Sequence, residues 1–104
     1  MTRYAMPDGI VVDTAKATDV YHERTTYDGR NSISLATGEQ WEHETLYRSR
    51  RGRYYVERSS DWQGRPSSAA WLTAQQAAAW LLRNHYPISD LPADLAALAD
   101  EVYE

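Results

Sequence analysis

Two spacings of apolar residues divide the chain. Up to residue 72 the apolar and β-branched positions come in short alternating runs, broken at Gly, Pro, Asp and Asn; beyond it they recur at helical intervals. Behind the turn signal Pro7-Asp8-Gly9, the run Ile10-Val11-Val12 predicts a first strand. From Thr18 to Thr26 the residues Val20, Tyr21, Thr25 and Thr26 predict a second, with Tyr21, Glu23 and Thr25 on one face. Asp28-Gly29-Arg30-Asn31-Ser32 ends it in a turn, and residues 33–40 read as a loop with a short strand. Residues 41–49 form the third strand and residues 53–58 the fourth, a hairpin about Arg50-Arg51-Gly52. If Gly52 takes the left-handed position of a three-residue loop, Leu46 faces Val56 and Tyr47 faces Tyr55; a two- or four-residue loop pairs Tyr47 with Val56 instead. A polar loop over residues 59–68 leads to a short edge strand, Ala69-Ala70-Trp71-Leu72.

Thr73-Ala74-Gln75-Gln76 has capping-box spacing, in which the Thr73 hydroxyl and the Gln76 side chain satisfy each other's backbone donors. The helix it opens carries Ala77, Ala78, Trp80, Leu81 and Leu82 and stops before Pro87. A second helix is predicted from Pro92 to Tyr103, with Leu91, Leu95, Leu98 and Val102 on one stripe. Strands first and helices last predict an α+β fold. It is a single domain over 1–104, in which a mostly antiparallel sheet of four to five strands (10–72) is covered on one face by two C-terminal helices (73–104).

Composition narrows the chemistry. The absence of cysteine excludes disulfides, thiolate zinc sites and thiol nucleophiles. No apolar run approaches the roughly 20 residues of a membrane span, and the N-terminus lacks a secretory apolar core; a cytoplasmic protein with no membrane association is the expectation. There is no Phe, but four Trp and eight Tyr can fill a thin core while keeping polar tips in water. Trp71 and Trp80 are expected to pack helix against sheet, and Trp41 to be packed at the start of its strand.

Charge is spread unevenly within a formal net charge of −4: residues 1–47 sum to −4, residues 48–83 to +5 and residues 84–104 to −5. Such polarity orients a protein against a charged partner or neutralises itself on folding. The basic middle contains Arg48, Arg50, Arg51 and Arg53 around the hairpin turn, with Tyr54 and Tyr55 as rings able to stack on bases. Against nucleic-acid binding stands the acidic balance, with a pI near 5.3. Trp62, between Arg58 and Arg65, has the composition of an interface anchor, or else folds back to cap the sheet.

The histidines at 22, 43 and 85 lie outside metal-ligand spacing. In Glu42-His43-Glu44 a strand sends both carboxylates to one face and the imidazole to the other, so the triplet cannot chelate one ion unaided. Its expected role is a solvated strand start with a salt link to a hairpin arginine. No carboxylate pair is predicted to sit in an apolar pocket, and no Gly-rich phosphate loop or nucleophile elbow occurs. The reading is therefore non-enzymatic, with no catalytic residue, metal or cofactor assigned.

The run Glu44-Thr45-Leu46-Tyr47-Arg48, then Gly52-x-Tyr54-Tyr55-Val56, then Leu72-Thr73 with Ala77 or Ala78 and Trp80, resembles small uncharacterised proteins of bacterial mobile elements, phage and plasmid. These share an "ETLYR...G.YF" hairpin followed by an "LT..EA..W" helix. The resemblance covers about residues 10–86. Gln75-Gln76 replaces the acidic pair expected after the cap, and Tyr55 replaces Phe. It implies an inhibitor of a host defence complex, of the anti-CRISPR or anti-restriction kind, that docks on a host protein or nucleoprotein complex as a monomer or homodimer. The docking residues are then Trp62, Arg58 and Arg65, or Asp94, Asp100 and Glu101 of the acidic tail. The alternative is a nucleic-acid-binding accessory protein using the hairpin from Arg48 to Arg58.

Overall fold

The computed structural model describes residues 2–61, 64 and 66–99. Among the described residues, eight strands precede two α-helices: β1 (Arg3–Ala5), β2 (Val11–Asp13), β3 (Asp19–His22), β4 (Thr25–Tyr27), β5 (Ser32–Ser34), β6 (Glu42–Arg48), β7 (Tyr54–Ser60), β8 (Ser68–Leu72), α1 (Ala74–Arg83) and α2 (Ala93–Ala96). The α+β class predicted from the order of elements is the one observed. The central sheet is antiparallel, with strand order β3-β6-β7-β8, and β1-β2 and β4-β5 form separate two-stranded ribbons.

The long hairpin settles its register through its turn. Ser49 and Arg53 close a three-residue loop, with Ser49 N donating to Arg53 O at 2.7 Å and Gly52 N to Ser49 O at 2.8 Å. Gly52 has φ +89°, a left-handed conformation that costs little only without a Cβ. Leu46 consequently faces Val56, and Tyr47 faces Tyr55.

Alternation then sorts side chains between two faces. Leu46 and Tyr54 meet Ala77, Ala78, Trp80 and Leu81 of α1 and Leu91 and Leu95 beyond it, with Tyr21 and Leu72 packed at the margin. Thr73 and Gln76 form the predicted capping box, with Gln76 N donating to Thr73 Oγ1 at 3.1 Å and Thr73 N to Gln76 Oε1 at 2.9 Å. At the other end of α1, buried Asn84 donates Nδ2 to Trp80 O at 2.8 Å and accepts Arg24 N on Oδ1 at 3.0 Å. One amide thus joins the helix terminus to the segment between β3 and β4.

Three expectations are corrected. The second strand is two, because Arg24 leaves the central sheet for Asn84 and for Leu35, whose N–H donates to Arg24 O at 2.8 Å; β4 then pairs with β5 alone. The sheet face away from the helices is covered in part as well. There β1-β2, joined by the Pro7-Asp8-Gly9 turn, brings Met6 and Val12 onto Tyr55, flanked by Tyr4, Tyr47, Ala69 and Trp71. The second helix, expected to run unbroken from Pro92 to Tyr103, is interrupted after Ala96 by a turn at 97–98, and the end of the expected run, residues 100–104, lies outside the described residues.

Candidate binding cleft at the basic hairpin

The β6-β7 turn and the β1-β2 ribbon stand side by side, and between them lies a cleft of about 540 Å³. One wall is Arg50, Arg51 and Arg53 of the turn; the other carries Arg3 and Lys16, with Ile10 and Val11 between them. Val11 is 61% exposed because residue 11 turns outward while its neighbour Val12 turns into the core. The 3-10 turn that brings Lys16 to the rim is fastened by Asp13, whose Oδ1 accepts Ala15 N at 2.9 Å.

Of these five cations, two are engaged. Arg53 donates to Asp8 at 2.9 Å and its guanidinium lies 3.6 Å from the centroid of the Trp71 ring; Arg3 lies 3.5 Å from Asp13. Arg53 holds the Asp8 carboxyl below its usual range, helped by the Ile10 amide and the Trp71 indole. Among the described residues, Arg50, Arg51 and Lys16 have no carboxylate within 4.0 Å.

The floor is aromatic. Tyr55 stacks on Tyr47 at 5.2 Å between centroids and meets Trp71 edge to face at 6.0 Å. Tyr55 is 1% exposed, and its hydroxyl is buried without a hydrogen-bond partner, as is the Trp71 indole N–H. Asp8 is near enough for the indole to affect its ionisation, but not in hydrogen-bonding geometry. Burial, the neighbouring Tyr47, and the charges of Glu57 and Asp13 push the Tyr55 hydroxyl up to about 12, so it remains a donor at neutral pH.

The predicted site residues fall in different places. Arg50, Arg51 and Arg53 converge on the cleft. Arg48, one residue out of phase, is on the helix-facing side, its guanidinium 5.5 Å from the Tyr54 ring centroid. The stacking role expected of Tyr54 and Tyr55 is corrected, since both rings are buried. Tyr54 donates its hydroxyl to Asp94 at 3.1 Å, and Arg58 is paired with Glu44, so these members of the expected docking set are committed internally. Trp62, Arg65, Asp100 and Glu101 lie outside the described residues.

Trp41, expected to be packed, is 44% exposed at the start of β6. Its carbonyl accepts Asp61 N at 2.8 Å, which ties the two strand ends together and places exposed Asp61 beside it, with exposed Glu39 two residues before it in the chain.

Two carboxylate arrangements escaped the sequence reading. Glu44 is 6% exposed; its Oε1 accepts Trp80 Nε1 at 3.0 Å, and its Oε2 takes Nε and Nη2 of Arg58. The expected salt link to a hairpin arginine is therefore made, but from inside the core. His43 bridges Glu23 Oε2 at 2.8 Å and Asp61 Oδ2 at 2.9 Å, and Glu23 Oε1 also accepts Glu44 N at 2.6 Å. Both imidazole nitrogens are thus occupied by carboxylates, which raises the His43 pKa and leaves neither nitrogen to relay a proton from a nucleophile. Among the described residues, no three His, Asp or Glu side chains group as metal ligands, and no helix is long and apolar enough to cross a membrane. Comparison of the chain with family models, with curated proteins and with solved structures finds no match.

Proposed function

We propose that the protein is a non-enzymatic binding module that engages nucleic acid, free or within a nucleoprotein complex, through the cationic end of its central hairpin. The observation that carries this reading is the convergence of Arg50, Arg51 and Lys16, none with a carboxylate partner among the described residues, on the cleft that Arg3 and Arg53 complete. An acidic protein that brings three carboxylate-free cations together at one cleft has a directional local field there, and phosphate backbones are steered toward it. Because the hairpin rings are buried, contact is through guanidinium and ammonium groups and is largely independent of sequence.

The test is binding to duplex and single-stranded DNA at low and moderate salt. Affinity is expected to fall steeply with salt and to disappear in the combined variant Arg50→Ala/Arg51→Ala/Arg53→Ala. Salt-independent binding, or an undiminished variant, overturns the reading.

A second reading has its own observation. Trp41 is exposed near Glu39 and Asp61, at the end of the hairpin remote from the basic turn. An exposed ring among acids suits docking on a cationic groove of a nucleic-acid enzyme, the behaviour implied by the resemblance to mobile-element inhibitors. Undetectable DNA binding, with capture of a nucleic-acid enzyme from host lysate that is lost in Trp41→Ala, favours this second reading over the first.

A further inference from the structure

We propose that the cleft between β1-β2 and the β6-β7 turn is a pocket for a terminal phosphate carried on a ring-bearing body, the chemistry of a free mononucleotide or of the phosphorylated end of a strand. The free-mononucleotide case stands without the nucleic-acid reading above, and the strand-end case rests on it. Shape is the first argument. At about 540 Å³ the space has the size of a small-ligand site, and Tyr55 and Trp71 are part of its lining, so a terminal group fits it better than the continuous backbone of a long strand.

Charge is the second. Arg50, Arg51 and Arg53 approach from one wall and Arg3 and Lys16 from the other, with Asp13 the one acid among the described lining residues. A planar carboxylate is satisfied by a single guanidinium fork, whereas a tetrahedral phosphate presents oxygens in several directions and draws on donors from both walls. A terminal phosphate carries a charge of about −1.5 to −2 at neutral pH, more than the single charge of a backbone diester.

The floor is the third. The Tyr55 hydroxyl and the Trp71 indole N–H are buried donors that lack an acceptor, a state that costs free energy unless a ligand relieves it. Arg53 covers Trp71 and is shared with Asp8, so an anion competing for Arg53 loosens the cover over the indole. Exposed Ile10 and Val11 supply an apolar wall for the body of the ligand.

The experiment follows the Trp71 indole N–H signal by NMR while the intact protein is titrated with adenosine 5′-monophosphate, adenosine, inorganic phosphate, and single-stranded oligonucleotides bearing a 5′-phosphate or a 5′-hydroxyl. Adenosine 5′-monophosphate is expected to give a saturable shift, with adenosine at least about tenfold weaker. Tyr55→Phe, which deletes a hydroxyl that has no partner to lose, is expected to keep the fold and weaken binding about fivefold or more. Tighter binding of the 5′-phosphorylated strand than of either the mononucleotide or the 5′-hydroxyl strand assigns the source to a strand end; equal binding of the two strands alongside saturable mononucleotide binding assigns it to a free ligand. The proposal is overturned if adenosine 5′-monophosphate and the 5′-phosphate produce no saturable shift up to about 10 mM, or if adenosine binds equally well. DNA binding without any preference for a terminal phosphate, and without mononucleotide binding, also overturns it while leaving the nucleic-acid reading intact.

Discussion

The Trp80 indole donates its N–H to Glu44 Oε1 at 3.0 Å, a bond buried between α1 and the sheet. It fixes the azimuth of α1, because Trp80 reaches an acid that is itself held by Arg58 of the neighbouring strand. The core therefore includes a carboxylate whose two oxygens both accept from side-chain N–H groups. Arg58 is mostly exposed, which limits the desolvation cost of the pair.

Glu44→Ala is expected to destabilise the protein by about 2–3 kcal/mol, since it leaves the Trp80 N–H buried without an acceptor and opens a small cavity. Urea unfolding checks this, and a shift below about 0.5 kcal/mol contradicts it. Glu44→Gln retains an acceptor for Trp80 and is expected to lose less.

His43 gives stability a pH dependence. Hydrogen bonds to Glu23 and then to Asp61 raise its pKa above the ordinary 6.5. A raised folded pKa means that the contribution is fully present below about pH 6.5 and is lost as pH rises through the higher folded value. His43 is about one-third exposed, so the effect is modest, of order 1 kcal/mol or less. Thermal midpoints measured from pH 5.5 to 9 are expected to fall for the natural protein and to fall less for His43→Gln; parallel curves refute the assignment.

Gly52→Ala tests the turn that carries the cleft. An added Cβ would meet nothing nearer than Arg48 at 3.9 Å, so the cost comes from the backbone at φ +89° alone, about 1–2 kcal/mol. Chemical denaturation measures that loss. An unchanged midpoint means that the loop tolerates another geometry, and with it another hairpin register.

Much of the scaffold was legible in the sequence because its signals are local. Gly52 needs only its own φ to set the loop, and Thr73 with Gln76 completes its cap within four residues. The alternation of Leu46, Tyr47, Tyr54 and Tyr55 places side chains on opposite faces once the strand pairing is known. The errors cluster where a distant residue decides. Arg24 is drawn out of its strand by Asn84, sixty positions away. Glu44 reads as a solvated strand start until Trp80 covers it. Trp41 reads as core, yet it is 44% exposed where β6 begins.

The same division governs the candidate site. The sequence by itself determined an α+β order of elements, a capped helix, and a run of arginines about a glycine turn, since each follows from backbone preference and spacing. Only the tertiary structure decided which arginines act together: it turned Arg48 to the helix side and brought Arg3 and Lys16, more than thirty residues upstream, to face Arg50, Arg51 and Arg53. It also buried Tyr55 and the indole N–H of half-buried Trp71 beneath them with donors unmet. The physical reason is that like charges do not seek one another along a chain. They were assembled by apolar contacts, Met6 and Val12 on Tyr55, which carried the basic residues of the N-terminal ribbon with them.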